Sequence, residues 1–360
     1  MTRMIVAICV RTLVFALLIQ QVVLIQQTAC AQSSRYVQTY GSTSAPTNKY
    51  APASKYAAPT QTMRMQKAAS GRGYDFSDAI KSGGYNRTFT VHVPPSYDRA
   101  RPMPVVLAFH GLGLNGKAMK YITLFDQVAD RNGFIVVYPD GLAARWNDGL
   151  QKSNVDDVQF VSDMLTRLSQ VVAIDGRHVY ACGLSNGGYF VQRLASELGN
   201  RIAAIGVVGS TGVQPVLARN RNRMPIIFFL GTADPLIVQE GDSKALGKLG
   251  ELVGLGDLGA LTPDIAQLGG VMTTNQVIGY WVGQNGCSLT PRSAQMPDRS
   301  TGDGCRVRCD SYGNSVVVYT IINGGHTWPG GMPFGGRDIV GATTQDVSAS
   351  QIMWDFFRSQ

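Results

Sequence analysis

The chain has 360 residues, of which 44% are hydrophobic and 9% aromatic, so it can bury a large core in one globular domain with extra segments. Its formal net charge is +8, yet residues 1–70 hold seven basic side chains and no acidic one, which leaves 25 basic against 24 acidic side chains in residues 71–360. The excess charge therefore belongs to an N-terminal segment and gives no support for a nucleic-acid-binding domain.

The first 31 residues are typical of a secretory signal. Arg3 and Arg11 accompany a largely apolar run at 13–25, and Ala29-Cys30-Ala31 fits the small-residue cleavage pattern. The run is shorter than the roughly 20 residues that a membrane span needs. We therefore expect export to an extracellular or periplasmic location, with no integral membrane segment after processing. A lipoprotein anchored at Cys30 is the alternative.

Residues 32–70 are rich in Ser, Thr, Ala, Pro, Gln and Tyr and poor in large aliphatic side chains. Such a segment cannot bury enough apolar surface to offset the entropy that is lost on ordering. We expect a disordered linker here, followed by a single folded domain over residues 71–360.

From residue 71 onward, apolar runs alternate with segments of helical period. Strands are predicted at residues 88–93, 104–109, 134–138, 179–181, 203–208, 225–230 and 315–322, and helices at 121–130, 158–172, 189–198, 273–285 and 351–357. Strands that alternate with helices at this spacing predict an α/β fold with a mostly parallel central sheet.

The connection between the strand at 179–181 and the helix at 189–198 reads Gly183-Leu184-Ser185-Asn186-Gly187, which fits the G-x-S-x-G pattern of a nucleophile elbow. A serine hydroxyl is a weak nucleophile unless it is exposed beside a base. The glycines leave room for a tight turn, and the following helix offers free N–H groups to an oxyanion. Ser185 is the predicted nucleophile.

The predicted general base is His326. Of the four histidines it is the only one that follows Ser185, and it lies on a glycine-rich loop directly after the strand at 315–322. The acid that orients it should lie between these two residues. Asp234 is favoured among seven aspartates because it follows the buried strand at 225–230, at the carboxyl edge of the sheet.

A second turn is expected to help bind the oxyanion. His110-Gly111-Leu112-Gly113 follows the strand at 104–109, where this kind of fold supplies a backbone N–H to the oxyanion hole. We assign the two donors to the N–H groups of Leu112 and Asn186. His110 itself is expected to shape the loop.

These residues together resemble the polyhydroxybutyrate depolymerase-like esterase family, which includes bacterial feruloyl and acetylxylan esterases. The resemblance covers residues 71–360 and depends on several blocks in the same order: Phe109-His-Gly, Tyr138-Pro-Asp-Gly, Trp146-Asn-Asp, Gly183-Leu-Ser-Asn-Gly-Gly, Gly231-Thr-Ala-Asp-Pro and Gly324-Gly-His-Thr-Trp-Pro-Gly. It implies an α/β-hydrolase fold and a secreted serine esterase with the triad Ser185, Asp234 and His326. It also implies an ester substrate and no metal or organic cofactor.

The substrate is less clearly indicated. The resemblance implies a polyhydroxybutyrate-type polyester or its oligomers, but we expect no separate substrate-binding domain after the catalytic one. Feruloyl or acetylxylan ester hydrolysis is therefore the alternative, and a non-catalytic surface or carbohydrate-binding protein on the same fold is the alternative from another class. Trp146 and Trp328 are candidates to line the acyl or sugar pocket.

Cleavage after Ala31 leaves four cysteines in the exported chain. Cys182 falls in the buried strand before the elbow and should be a free thiol. The family resemblance implies a disulfide between Cys287 and Cys309, with Cys305 as the alternative partner, and an oxidising compartment allows such a bond to persist.

Overall fold

Ten strands form one mixed sheet within the described residues, which are 73–150, 153–237 and 270–360 of this computed structural model. The strands are β1 Tyr74–Ser82, β2 Tyr85–Val93, β3 Met103–Phe109, β4 Ile135–Pro139, β5 Ile174–Leu184, β6 Ala204–Val208, β7 Ile226–Gly231, β8 Arg292–Gln295, β9 Arg306–Tyr312 and β10 Val316–Ile322. The predicted signal segment 1–31, the linker 32–70 and the anchoring alternative at Cys30 lie outside the described residues.

The strand order is β1-β2-β4-β3-β5-β6-β7-β10-β9-β8. The six central strands from β4 to β10 run parallel, and the strands added at both edges pair antiparallel. The β4, β6 and β7 strands are buried at every position because helices cover both faces of the sheet, as expected for a parallel arrangement.

Helices form a layer on each face. They are α1 Gly116–Thr123, α2 Phe125–Asn132, α3 Asp157–Val171, α4 Asn186–Glu197, α5 Gln214–Leu217, α6 Thr274–Asn285, α7 Arg337–Val340 and α8 Ala349–Phe357. The apolar sides of α3, α4 and α6 pack on one face of the sheet, and those of α1, α2 and α8 pack on the other. No helix among the described residues has the length and apolar character to cross a membrane.

This strand order, with a sharp turn from β5 into α4 at the carboxyl edge of the parallel strands, is the α/β-hydrolase fold. The expected fold class is therefore confirmed. Some local expectations differ. The helix predicted at 121–130 is two helices, because Leu124 lies between α1 and α2 with a φ of 55°. The apolar pattern also fails to predict the strands β1, β8 and β9, and the four side chains of β8 are all exposed.

The disulfide expected between Cys287 and Cys309 is not formed, and both side chains are free thiols. Cys287 and Tyr312 both pack against the core that α3, α4 and α6 cover. Cys309 lies three residues before Tyr312 on β9, so it points to the opposite face of the sheet, where its neighbour is Tyr319. The expectation was wrong because the register of β9 separates the two thiols.

The other two cysteines are buried in separate parts of the core. Cys182 lies in β5 as a free thiol, as predicted, and burial raises its pKa. Cys305 packs with Val307 and Ile321 beneath the other end of β9. It is also a free thiol and forms no bond with Cys287.

Candidate active site

The turn at Ser185 has the strained backbone of a nucleophile elbow. Its φ and ψ are 55° and −121°, a combination that non-glycine residues rarely adopt. The Ser185 N–H donates to the carbonyl oxygen of Val208 at 2.8 Å, which ties the turn to the neighbouring strand β6. Ser185 also precedes the first residue of α4, so the start of that helix lies directly behind its side chain.

Glycines allow this turn because there is no space for a Cβ atom on either side of Ser185. A Cβ at Gly183 would overlap the backbone of Gly187. A Cβ at Gly187 would overlap the carbonyl oxygen of Phe109 and lie 2.7 Å from that of His110. The elbow therefore packs tightly against the end of β3, and the G-x-S-x-G spacing has a direct steric cause.

His326 and Asp234 form a buried hydrogen-bonded pair. The His326 Nδ1 atom lies 2.8 Å from Asp234 Oδ2, and both residues are 5% exposed. Asp234 follows β7, and its other carboxylate oxygen accepts the N–H of Leu236 at 2.8 Å. The loop of His326 follows β10 and is held by a bond from the Gly325 N–H to the Ala342 carbonyl oxygen at 2.9 Å.

A glycine at the end of β6 links this pair to the elbow. A Cβ at Gly209, whose φ is +58°, would lie 3.1 Å from the His326 ring and 3.4 Å from Asp234 Oδ2. Gly209 directly follows Val208, which binds the Ser185 N–H. The three residues that the sequence singles out therefore lie around one glycine, at the carboxyl edge of β5, β6, β7 and β10.

The turn after β3 lies beside Ser185. A Cβ at Gly111 would be 3.4 Å from the Ser185 Cβ. The His110 imidazole fixes this turn, because its Nδ1–H donates to the Gly111 carbonyl oxygen at 2.8 Å and its Nε2 accepts the Gly141 N–H at 2.9 Å. Burial lowers the pKa of His110 to about 4, so the ring is neutral and shapes the loop as expected.

Two backbone N–H groups are expected to bind an oxyanion, and neither has a competing acceptor in the described part of the chain. Neither the Leu112 N–H nor the Asn186 N–H donates to another described residue. Both belong to segments that adjoin Ser185, one in the turn after β3 and one at the start of α4. An unpaired N–H at a helix start, such as that of Asn186, favours a negatively charged oxygen.

Both tryptophans that were expected to contact substrate are core residues. Trp146 is 1% exposed and packs between Phe109 and Phe190, with ring centroids 5.1 and 5.2 Å away. It only borders a cavity of about 190 Å³. Trp328 is fully buried, and its indole N–H donates to Ser350 Oγ at 3.0 Å. Each indole is packed on its apolar faces and its N–H has a hydrogen-bond partner, so the burial does not favour substrate contact, and the assignment stays a prediction.

Two polar side chains near the elbow escape prediction from the sequence. The Asn186 side chain is buried and binds both the backbone of Trp146 and the carboxylate of Asp148. The only signal for Asp148 was its place in the Trp146-Asn147-Asp148 block of the family resemblance. These contacts join residues about 40 apart in the chain, so they depend on tertiary structure.

A charged cluster lies away from this site, under β1 and β2. Within the described residues, Asp75, His92 and Asp126 are the one group whose ligand atoms lie close enough together to hold a metal ion. The ammonium group of Lys120 already binds both carboxylates. The His92 ring binds Asp75 at 2.8 Å and Asp130 at 2.9 Å. The cluster is therefore a network of ion pairs.

Comparison with known proteins shows which proteins this chain resembles. Residues 87–228 match the family described as Esterase PHB depolymerase. NocK of Nocardia uniformis subsp. tsuyamanensis, which carries the name of an esterase, is 28% identical over 289 residues, or 76% of this chain and 79% of that protein. Feruloyl esterase D of Neurospora crassa is 23% identical over 76% of this chain and 82% of its own length.

Among solved structures, an acetyl xylan esterase from Aspergillus awamori superimposes with a TM-score of 0.49 and 14% identity, over 70% of this chain and 94% of that one. The family match includes the turn after β3, the elbow and the strands up to β7. The two relatives extend the similarity over three quarters of the chain. Residues 87–228 are therefore similar to the esterase domain of the PHB depolymerase family, and the chain is a carboxylic-ester hydrolase.

Proposed function

We propose that the protein is a secreted serine esterase that uses Ser185 as nucleophile, His326 as general base and Asp234 as the residue that orients His326. The observation that carries this proposal is the 2.8 Å bond between His326 Nδ1 and Asp234 Oδ2 beside the elbow of Ser185. That bond leaves His326 Nε2 as the ring nitrogen that can accept a proton, which is the arrangement of a serine hydrolase triad.

In the proposed mechanism, Ser185 Oγ attacks the ester carbonyl carbon while His326 Nε2 takes the hydroxyl proton. The carbonyl oxygen becomes an oxyanion bound by the N–H groups of Leu112 and Asn186. Collapse of this intermediate breaks the bond to the alcohol, which leaves with the proton from His326, and an acyl group remains on Ser185. Water then attacks in the same way and releases the acid and the free serine.

For the ester itself, we propose a polyhydroxybutyrate-type polyester or its oligomers, supported by the description of the matching family. Feruloyl or acetyl esters of plant polysaccharides are the second candidate, and the name of the Neurospora relative favours it. Secretion is supported by the basic and apolar pattern of residues 1–31.

The catalytic assignment is tested by Ser185→Ala and His326→Ala. Each should lower kcat on p-nitrophenyl butyrate by about 10⁴-fold or more, because triad residues act as a unit, and Asp234→Asn should cost less or a similar amount. The matched control is Ser169→Ala, an exposed serine on α3, which should keep full activity. Circular dichroism checks that each variant folds. Full activity of Ser185→Ala would falsify the mechanism.

The choice of ester is tested by a panel of substrates. Rates on hydroxybutyrate oligomers and polymer are compared with those on methyl ferulate, acetylated xylan and p-nitrophenyl esters of increasing length. The largest kcat/KM is expected for hydroxybutyrate oligomers. A larger value for methyl ferulate or acetylated xylan selects the second candidate. No turnover, together with no labelling of Ser185 by a fluorophosphonate, selects the non-catalytic alternative.

A further inference from the structure

Residues 141–148, here called the bridging segment, contact both sides of the proposed oxyanion site. On the side of the β3 turn, the Gly141 N–H donates to His110 Nε2 at 2.9 Å and the Gly113 N–H donates to the Ala144 carbonyl oxygen at 2.8 Å. The Trp146 indole N–H adds a third bond, to the His110 carbonyl oxygen at 3.0 Å. These bonds fix the segment relative to the turn that holds Leu112.

On the side of the elbow, the bridging segment binds the Asn186 side chain. Asn186 Oδ1 accepts the Trp146 N–H at 2.7 Å, and Asn186 Nδ2 donates to the Trp146 carbonyl oxygen at 3.0 Å. The second hydrogen of Nδ2 is donated to Asp148 Oδ2 at 2.6 Å. Both N–H groups of this amide and one lone pair of its oxygen are therefore directed at the segment, and the backbone N–H of the same residue remains available to an oxyanion.

Asp148 completes this contact because a carboxylate only accepts hydrogen bonds. Its Oδ1 accepts the Leu150 N–H at 3.0 Å while Oδ2 accepts from Asn186, and the residue is 6% exposed. An amide at this position would direct its NH₂ group at one of the two donors and leave a buried donor unpaired. Because both neighbouring groups are donors, position 148 needs a side chain that only accepts, which is Asp rather than Asn.

The segment needs such bonds because its backbone is strained. Ala143 and Ala144 have φ values of 50° and 55°, in a left-handed region that non-glycine residues rarely adopt. Its outer end is held by the Asn147 N–H, which donates to Asp157 Oδ2 at 2.7 Å. Asp157 is itself fixed by a buried ion pair with Arg87 at 2.6 Å. The segment thus has one defined position between the two turns.

We propose that Asp148 is a positioning residue for ester hydrolysis: it holds the Asn186 side chain against the bridging segment and so sets the separation between the N–H groups of Leu112 and Asn186. This inference depends on the proposed function. It adds that the oxyanion site is fixed from outside by a buried carboxylate that touches neither the substrate nor the reacting atoms. Small changes in that separation weaken binding of the transition state more than binding of the ester.

The test is Asp148→Asn in the full-length enzyme. Because one oxyanion donor contributes about 10²–10³-fold to kcat, its displacement should lower kcat per titrated active site by about 10- to 100-fold, with KM changed less than about threefold. Affinity for a trifluoromethyl ketone, which forms a tetrahedral adduct with the serine, should weaken by the same factor as kcat/KM. The matched control is Asp156→Ser, which removes a carboxylate just after the segment but keeps a good N-cap for α3. It should retain wild-type kcat.

A residue that only stabilises the fold gives a different result. In that case the melting temperature and the fraction of titratable sites fall, but kcat per site and the affinity for the ketone stay at wild-type values, which overturns the proposal. Asp148→Ser is the second variant if Asp148→Asn does not fold, and loss of folding in both also overturns it. If Asp148→Asn keeps the wild-type kcat while Ser185→Ala is inactive, only this inference is refuted. An active Ser185→Ala refutes the proposed function.

Discussion

Gly187 limits how the elbow can be built, because its Cα lies directly against the end of β3. An added Cβ overlaps the carbonyl oxygen of Phe109 and approaches that of His110. Neither backbone atom can move without shifting the turn that contains Leu112. The residue therefore links the stability of the fold to the geometry around Ser185.

Gly187→Ala should destabilise the protein by about 1–3 kcal/mol and lower kcat in the fraction that remains folded, because overpacking displaces backbone at the site. Urea unfolding measures the first effect and p-nitrophenyl butyrate hydrolysis the second. Gly279→Ala is the matched control, since an added Cβ in the exposed middle of α6 meets no atom within 4 Å. It should stabilise by about 0.5–1 kcal/mol. Equal effects of the two substitutions would contradict the steric argument.

At the same scale, the sequence predicts which residues approach each other only where a local rule applies. Ser185 follows from a five-residue pattern, and His326 and Asp234 follow from chain order and strand ends. The Asn186 side chain and Asp148 have no such rule, because their contact depends on how the bridging segment folds. The pairing of Cys287 with Cys309 could not be excluded either, since it depends on which face of β9 each thiol occupies.

Among the elements, β1, β2, α1 and α2 are joined by the ion-pair cluster around His92. Burial alone would lower the pKa of His92, but hydrogen bonds to Asp75 and Asp130 and the charge of Asp126 outweigh it and raise the pKa above its usual value, with Lys120 opposing. A raised pKa in the folded state means that the charged ring stabilises the fold. This contribution is complete below about pH 6.5 and is lost as the pH rises through the higher folded value.

The free energy of unfolding should therefore fall between pH 6.5 and the raised pKa of His92, with a limiting slope of about 1.4 kcal/mol per pH unit. In His92→Asn that slope should disappear. The comparison requires urea unfolding at several pH values. Asp98→Asn serves as control because this exposed carboxylate lies outside the cluster, and it should keep the slope. A wild-type slope in His92→Asn would show that other groups cause it.

The strength of the periodic signal explains which elements the sequence predicts. The β4, β6 and β7 strands are continuous apolar runs, so their prediction needs no tertiary information. In β1 the exposed side chains alternate with partly buried ones, and β8 is exposed throughout, so neither has a strong apolar pattern. The break at Leu124 cannot be predicted from the sequence either, since leucine seldom adopts a positive φ.

For the whole molecule, residues Arg72–Gln360 form one compact unit. We predict that a chain beginning at residue 71 keeps kcat and melting temperature nearly unchanged, because residues 32–70 lack apolar anchors. Assays of ester hydrolysis and thermal unfolding compare it with the full chain. A chain beginning at residue 86 is the contrast, since it loses β1 and should be much less stable. Failure of the first chain to fold would move the domain boundary toward the N-terminus.

The late position of His326 in the chain affects when activity can arise during synthesis. Its loop is held by residues 340–342, and β10 must insert between β7 and β9 before that loop is in place. With the proposed triad, a ribosome-bound chain that has passed the elbow would therefore have a nucleophile without its base. We expect hydrolytic activity to begin only after residues 340–342 have been made, and shorter products of translation to be inert toward esters.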